Sequence, residues 1–275
     1  MLVNLKSLLI LAKRKKVIVP AFKVSNLDIL ESILKCGVSH EAPVVLSVDQ
    51  KFVSKTKLGA IAVLVSHLTQ NNTVPVVLHL ENCSDLESGV LAVKAGFTSI
   101  SFRGEELNFT DHIKAVRQIV KIAGICGVSV EAVLDYRGET CNYILGDNGS
   151  YFSQLEEAKL FVEQTGVDIL GLLISSNINE NDKTIHWLED CTNKLPVPVA
   201  LAEPVNLVQQ EINQLINIGI TKVPVDLEGE LLKGLKRNIS TIQQVKQIEK
   251  LTAKMIQDYL LAFGTVGKFS IAVND

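Results

Sequence analysis

The stretch Pro75-Val76-Val77-Leu78-His79-Leu80-Glu81-Asn82-Cys83 decides the fold class of this chain. It begins as an apolar run and ends in an acid, an amide and a thiol. Continuous apolar runs of this kind are typical of strands that are buried on both faces of a parallel sheet. The polar ending predicts that the strand opens into a functional site.

The same pattern recurs along the chain, with amphipathic helical patterns between the runs. Eight apolar runs are present: Val17–Phe22, Pro43–Val48, Val74–Leu80, Ser99–Phe102, Val128–Leu134, Asp168–Ile174, Val197–Leu201 and Thr221–Val225. Eight alternating βα units in 275 residues predict an α/β fold, a (β/α)8 TIM barrel. We predict a single domain over residues 1–275, with an extra C-terminal helical segment at Ile239–Phe263. A doubly wound sheet is the alternative, but no glycine-rich phosphate-binding turn follows the first run.

Two features of the connecting segments are also informative. Five glycines precede strands and are expected to end helices, because glycine accepts the left-handed backbone conformation found there. They are Gly37, Gly96, Gly127, Gly166 and Gly219. The polar insert Asp135–Ser153 is long enough to predict a functional lid or a mobile loop.

The composition argues against two classes of partner. The formal net charge is −3, so no basic field is available to bind nucleic acid. No run approaches the ~18 apolar residues that a membrane span requires. The five cysteines are scattered and form no CxxC pair, which favours reduced thiols and a cytoplasmic location.

The polar residues at the predicted strand ends are the candidate site, because TIM-barrel active sites lie at the C-terminal ends of the strands. They are Lys23, Ser47, Asp49, Glu81, Asn82, Cys83, Arg103, Asp135, Ser175, Glu203, Asp226 and Glu228. Two interpretations stay open. The residues form a charged catalytic pocket with tuned pKa values, or the mouth is closed by ion pairs. In the second case Lys23 and Arg103 neutralise three of the carboxylates, Glu81, Glu203 and Asp226.

The sequence gives little indication of a metal site. Only one of the five histidines, His79, lies on a predicted strand, and we expect a buried core residue there rather than a ligand. Cys83 with Glu81 and Glu203 could hold a metal ion, although nothing in their spacing requires one.

Taken in order, several motifs resemble those of the class II fructose-bisphosphate aldolase family, and especially its tagatose-bisphosphate aldolase branch. They are Val19–Phe22 with Asn26-Leu27, Ala42–Val45, Pro75–Cys83, Gly127–Leu134, Thr165–Asp168 and Gly219–Val223. Each motif is weak alone, but together they cover nearly the whole chain. The resemblance implies the barrel fold and a family chemistry in which zinc polarises the carbonyl group of a ketose bisphosphate. An acid on the third strand would handle the hydroxyl proton.

The resemblance also assigns the family's catalytic and metal positions to residues of this chain. The acid falls on Glu81, one methylene longer than the family's aspartate. The three zinc-binding histidines fall on Asn82, near Ile178 and on Ala202, none of which is a good zinc ligand. The resemblance therefore implies a site that has no zinc or other cofactor.

The remaining site positions also depart from the family pattern. The phosphate-binding positions after the seventh and eighth strands carry Glu203 and Asp226, whose charge would repel a phosphate group. The asparagine after the first strand is replaced by Lys23, and an acidic position on the fourth strand is replaced by Arg103.

Two functions are compatible with these departures. The first is a non-catalytic, homo-oligomeric family member, a dimer or tetramer with a binding, scaffold or regulatory role toward a protein or small molecule. The alternative is an aldehyde lyase for a ketose (bis)phosphate or a less anionic substrate. It would use a Schiff base on Lys23 or a different metal bound by Glu81, Cys83, Glu203 and Asp226. A buried ion-pair cluster would favour the first, and an open cavity with converging groups the second.

Overall fold

Eight parallel strands form a single sheet that is nearly closed into a barrel. The computed structural model describes residues 1–104, 107–135, 154–174, 183–234 and 241–269. The strands are β1 (Val19–Lys23), β2 (Val44–Asp49), β3 (Val76–Cys83), β4 (Ser99–Arg103), β5 (Ser129–Asp135), β6 (Ile169–Leu173), β7 (Val199–Leu201) and β8 (Lys222–Val225). Their order is β7-β6-β5-β4-β3-β2-β1-β8. A 3.0 Å hydrogen bond from Thr221 N to Val199 O links the two edge strands. The predicted TIM barrel is confirmed.

Helices follow the strands and surround the sheet. In the described part of the chain they are α1 (Leu5–Lys15), α2 (Leu27–Ser39), α3 (Leu58–Leu68), α4 (Leu86–Ala95), α5 (Phe109–Ile125), α6 (Gln154–Thr165), α7 (Lys183–Lys194), α8 (Gln209–Ile218), α9 (Leu227–Gly234) and α10 (Thr241–Ala262). The predicted C-terminal helical segment corresponds to α10. Among the residues that the structure describes, no helix is long and apolar enough to cross a membrane.

The interior of the barrel is apolar at one end and polar at the other. At the N-terminal end, inward residues such as Val45, Val77 and Ala200 pack against α1, whose Leu5 and Leu9 are fully buried. This helix closes the bottom of the barrel. Polar and charged residues occupy the next layers toward the C-terminal ends of the strands, where the candidate site was predicted.

The helix ends agree with the sequence in four of five cases. Gly96, Gly127, Gly166 and Gly219 all have positive φ angles close after a helix. The prediction for Gly37 is wrong, because α2 continues to Ser39. A Cβ atom at Gly37 would lie 3.0 Å from Val44 Cγ1, so this glycine permits close helix–strand packing instead. Most of the predicted lid, residues 136–153, lies outside the described residues.

Candidate functional site

A bulge at the end of β3 brings two consecutive polar side chains to the mouth of the barrel. Alternation along a strand would direct Glu81 inward and Asn82 to the opposite face. The pairing of β3 with β4 shifts between Leu80 and Cys83, and Asn82 has a φ of 57°. Asparagine tolerates this left-handed conformation better than most residues, and one extra residue in a bulge re-aims a side chain. Glu81 and Asn82 therefore both face the site.

The amide of Asn82 is the centre of a network that crosses the mouth. Its Nδ2 donates to Asp49 Oδ2 at 2.9 Å, and its Oδ1 accepts from an Arg103 guanidinium nitrogen at 3.0 Å. A second guanidinium nitrogen of Arg103 donates to Glu203 Oε1 at 2.6 Å. The network joins the ends of β2, β3 and β4 to the segment after β7. The predicted ion pair between Arg103 and Glu203 is present.

Lys23 and Glu81 lie beside this network. Glu81 is 4% exposed and accepts a 3.1 Å hydrogen bond at Oε2 from the Ser47 hydroxyl. Lys23 Nζ lies 3.9 Å from the same oxygen and 3.8 Å from Asp49 Oδ2. Burial raises the pKa of Glu81, and the positive charges of Lys23 and Lys222 oppose that shift. The predicted pairing of Lys23 with Glu81 is present, at a distance too long for a hydrogen bond.

A fully buried ion pair forms the floor beneath the mouth. Lys222 Nζ on β8 donates to Glu131 Oε2 on β5 at 2.5 Å, and the two side chains are 2% and 0% exposed. The other Glu131 oxygen has no hydrogen-bond partner. A Cβ atom at Gly171 would lie 2.6 Å from that oxygen, so only glycine leaves room for it.

His79 is a buried neighbour of this ion pair. It is 1% exposed, and its Nδ1 lies 2.9 Å from the Ser99 hydroxyl. Burial, assisted by the charge of Lys222, holds the pKa of His79 well below its ordinary value. Its burial agrees with the expectation of a core histidine.

Two possibilities that the sequence left open are not realised among the described residues. Asp226 forms no ion pair with Lys23 or Arg103, because its Oδ1 accepts from the backbone N–H groups of Glu228 (3.1 Å) and Gly229 (3.4 Å) at the start of α9. Cys83 does not join the carboxylates at the mouth. Its thiol is buried and donates to the Asp85 carbonyl at 3.3 Å on the α4 side. Burial raises the pKa of this thiol to about 12, so it is protonated.

The other predicted residues are dispersed. Asp135 is exposed at the end of β5. Ala202 is buried against Val133 and Leu173. Ser175 and Ile178 lie outside the described residues.

Two cavities at the mouth both have Asp226 in their lining. The front cavity has a volume of about 410 Å³ and is lined by Lys23, Ser47, Asp49, Phe52, Asp226 and Glu228, among others. The rear cavity measures about 360 Å³ and lies between β8 and the loop after β7, against α9 and α10. Its lining includes Asn206, Val223, Asp226, Glu230, Tyr259 and Phe263. The mouth thus has both an ion-pair network and open space beside it.

Comparison with known proteins identifies the family. A family model described as fructose-bisphosphate aldolase class-II matches residues 3–268. The chain belongs to this family. It is 28% identical to a fructose-bisphosphate aldolase of Geobacillus stearothermophilus over 239 residues, which cover 84% of this chain and 82% of that protein. It is 26% identical to a sulfofructosephosphate aldolase of Alkalicoccus urumqiensis over 215 residues, 76% of this chain and 75% of that protein.

Solved structures of aldolases share the fold. The YdjI aldolase from Escherichia coli K12 superposes with a TM-score of 0.83 at 21% identity, covering 98% of this chain and 100% of that one. A fructose-bisphosphate aldolase from Campylobacter jejuni gives a TM-score of 0.76 at 15% identity, with 97% and 96% covered. At these identities the likeness establishes the barrel alone.

Two of the positions that the resemblance assigns to zinc-binding histidines, Asn82 and Ala202, lie within the described residues. Zinc sites use imidazole, thiolate or carboxylate ligands. The Asn82 amide has both ends engaged by Asp49 and Arg103, and Ala202 offers no donor atom. No group of three or more His, Cys, Asp or Glu residues in the described ranges converges as a metal site.

The rear cavity and its polar groups were not predicted from the sequence. The Tyr259 hydroxyl on α10 donates to a Glu230 carboxylate oxygen. Burial, followed by the hydrogen bond to Glu230, raises the pKa of Tyr259. A tyrosine in a C-terminal amphipathic helix carries no signal of a site unless the helix is known to pack beside the mouth.

Proposed function

We propose that this chain is a class II aldolase-family protein that binds a small molecule at the barrel mouth without zinc-dependent aldol cleavage. The observation that carries the proposal is that both ends of the Asn82 amide are already hydrogen-bonded. Its amide is bonded at both ends to other side chains, at the position that the resemblance assigns to a zinc-binding histidine. A divalent cation there would have to displace these contacts and would gain only an amide oxygen.

The charge of Arg103 supports the same conclusion. Its guanidinium group lies within hydrogen-bonding distance of Asn82, is 8% exposed, and is paired with Glu203. Two like charges at short range in a partly buried site repel each other by several kcal/mol, on the order of 4 kcal/mol for unit charges about 4 Å apart. A zinc ion at Asn82 would face this repulsion, reduced by the negative charge of Glu203.

The start of α9 also supports the proposal, because it is poorly suited to bind the phosphate group of a substrate. The loops after the seventh and eighth strands and a short extra helix form the phosphate site in many barrels. Here Asp226 Oδ1 already accepts from the N–H groups of Glu228 and Gly229. A phosphate group would compete with a carboxylate for these donors and would be repelled by its charge.

Metal analysis together with a cleavage assay tests the proposal. The purified protein is dialysed against zinc, and its bound metal is measured by mass spectrometry. Cleavage of fructose 1,6-bisphosphate and of tagatose 1,6-bisphosphate is followed in a coupled assay, with an authentic class II aldolase as the positive control. We expect substoichiometric zinc and no turnover. One zinc per chain with chelator-sensitive turnover would overturn the proposal.

A second candidate function rests on Lys23. Its side chain is 28% exposed, lines the front cavity and lies beyond hydrogen-bonding distance of both neighbouring carboxylates. The amine could add to a substrate carbonyl carbon and lose water to form an imine, as in Schiff-base lyases. Borohydride reduction with dihydroxyacetone would then attach the three-carbon unit to wild-type protein and to a Lys57→Met control, but not to Lys23→Met. No mass addition to the wild-type protein would remove this candidate.

The assembly expected from the resemblance is part of the proposal. We expect a homo-oligomer, a dimer or a tetramer, and analytical ultracentrifugation of the full chain would distinguish these from a monomer.

A further inference from the structure

We propose that the outer face of α3 packs against α3 of a second copy of this chain, in an antiparallel contact with two-fold symmetry. The inference rests on the homo-oligomer expected as part of the proposed function, and it assigns the surface that forms this oligomer. It does not depend on what the mouth of the barrel binds.

The helix α3 is apolar on both of its faces. Its inner face carries Leu58, Ala62 and Val65, which are all buried. Its outer face carries Val63, which is 71% exposed, and Leu64, which is 36% exposed. Among the described helices α3 alone contains no Asp, Glu, Lys or Arg. A helix that is apolar all round is normally covered on both sides, so we expect the outer face to have a partner.

The outer face continues into an apolar groove beside the C-terminal end of α3. Leu68 lies one turn after Leu64 on the same side of the helix, and it lines the groove together with Leu34 and Val38 of α2. The groove has a volume of about 420 Å³. The ridge at Val63 and Leu64 and the groove beside it thus belong to one surface. A contact between two copies with two-fold symmetry needs such a self-complementary surface.

The charges at the two ends of α3 favour a second copy in the antiparallel orientation. The exposed Lys57 directly precedes α3, and Glu31 of α2 lines the groove at the other end. Antiparallel packing would bring Lys57 of each copy toward Glu31 of the other. The present partner of Glu31 is Lys35, which is 76% exposed, and an exposed ion pair of this kind holds Glu31 only weakly.

The centre of the contact would be free of charge. The two-fold axis of an antiparallel pair crosses the middle of each helix, and Val63 is the middle residue of α3. Each residue near such an axis lies against its own copy, so a charge there would meet a like charge. Antiparallel packing also places the positive end of each helix dipole beside the negative end of the other.

The surface is large enough to form the core of a dimer interface. α3 is about 16 Å long and the C-terminal half of α2 about 10 Å, each about 10 Å wide, so their outer faces span roughly 260 Å². A standard interface buries about 800 Å² per partner and has an apolar core within a polar rim. The exposed Ser66 and His67 of α3 would belong to that rim.

Analytical ultracentrifugation of the full chain tests the inference with two variants of opposite charge, Val63→Glu and Val63→Lys. Each should weaken the association about 100-fold or more, because like charges would meet at the axis. At the same protein concentration each variant should sediment with about half the wild-type mass. An equimolar mixture of the two variants should regain the wild-type mass, since opposite charges then meet.

Ile125→Glu on α5 is the matched control, because Ile125 is 88% exposed and the change introduces the same charge away from α3 and its groove. It should leave the mass unchanged. Thermal unfolding of each variant confirms that it is folded.

The outcomes separate this inference from the proposals on which it rests. A monomeric wild-type protein would overturn both the α3 contact and the expected homo-oligomer, and would leave this face to a different protein. Three results would overturn the α3 contact alone: an unchanged mass in Val63→Glu, an equal loss of mass in Ile125→Glu, or a variant mixture that stays dissociated. Zinc content and turnover at the mouth are measured independently, so they test the proposed function without reference to this surface.

Discussion

Removal of Lys222 should strongly destabilise the barrel, because it leaves a charge unpaired in the interior. Lys222 and Glu131 are 2% and 0% exposed and lie 2.5 Å apart. One oxygen of Glu131 already lacks a partner, so the ammonium group is the main compensation for its burial. Loss of one partner of a buried pair costs about 3–5 kcal/mol. For a chain of this length that corresponds to a fall of about 6–10 °C in the unfolding midpoint.

Lys222→Met is the suitable change, since it keeps most of the side-chain volume and removes the charge. The unfolding midpoint is measured by circular dichroism and compared with that of the wild-type protein. The double variant Lys222→Met/Glu131→Gln should recover about half of the loss, since neither side chain then carries a charge.

A midpoint within about 2 °C of the wild-type value would refute this reasoning, since it corresponds to only about 1 kcal/mol. So would a double variant that is less stable than Lys222→Met. Loss of the Lys222 charge should also raise the pKa of Glu81 further, because that charge is one of the two that oppose the effect of burial.

Three further changes test other parts of the structure. Gly171→Ala should lower stability by about 1–3 kcal/mol, because the new methyl group would lie 2.6 Å from Glu131 Oε1. The free energy of unfolding of both glycine variants is measured by urea titration. Gly124→Ala is the control, because no atom lies within 4 Å of the new methyl group, and it should leave this free energy unchanged or raise it. Burial lowers the pKa of His112 to about 4, so its contribution to stability is present above about pH 6.5 and is lost as pH falls toward 4. His112→Phe should abolish a loss of about 3 kcal/mol over that range, and an unchanged pH profile would contradict the assignment. Arg103→Met should lower the unfolding midpoint by about 2–6 °C, discounted for the partial exposure of its partner, and no change would show that the network is not stabilising.

The fold was predictable because its signal is local and repeated. Each strand is a short apolar run between amphipathic helices, and continuous apolar runs indicate burial on both faces. Where the prediction failed, the cause was tertiary. Gly37 was predicted to end a helix, but it lies inside α2. A glycine is needed there because Val44 packs closely against it.

The site was predictable as a set of residues and not as a geometry. The strand ends identified Lys23, Glu81 and Arg103, because the barrel gathers these ends at one face. The bulge at Asn82 and the turn of Cys83 toward α4 depend on the register of β3 against β4, which the sequence does not encode locally.

On the proposed function, the chain's own side chains take the places that the family gives to a metal and a phosphate. The positively charged guanidinium group of Arg103 donates a hydrogen bond to Asn82, the position that the resemblance assigns to a zinc-binding histidine. The negatively charged carboxylate of Asp226 accepts hydrogen bonds from the first amides of α9, where barrels of this type bind phosphate. Each substitution satisfies donors or acceptors that would otherwise be left unpaired when the ligand is absent. The mouth can therefore stay ordered without either ligand.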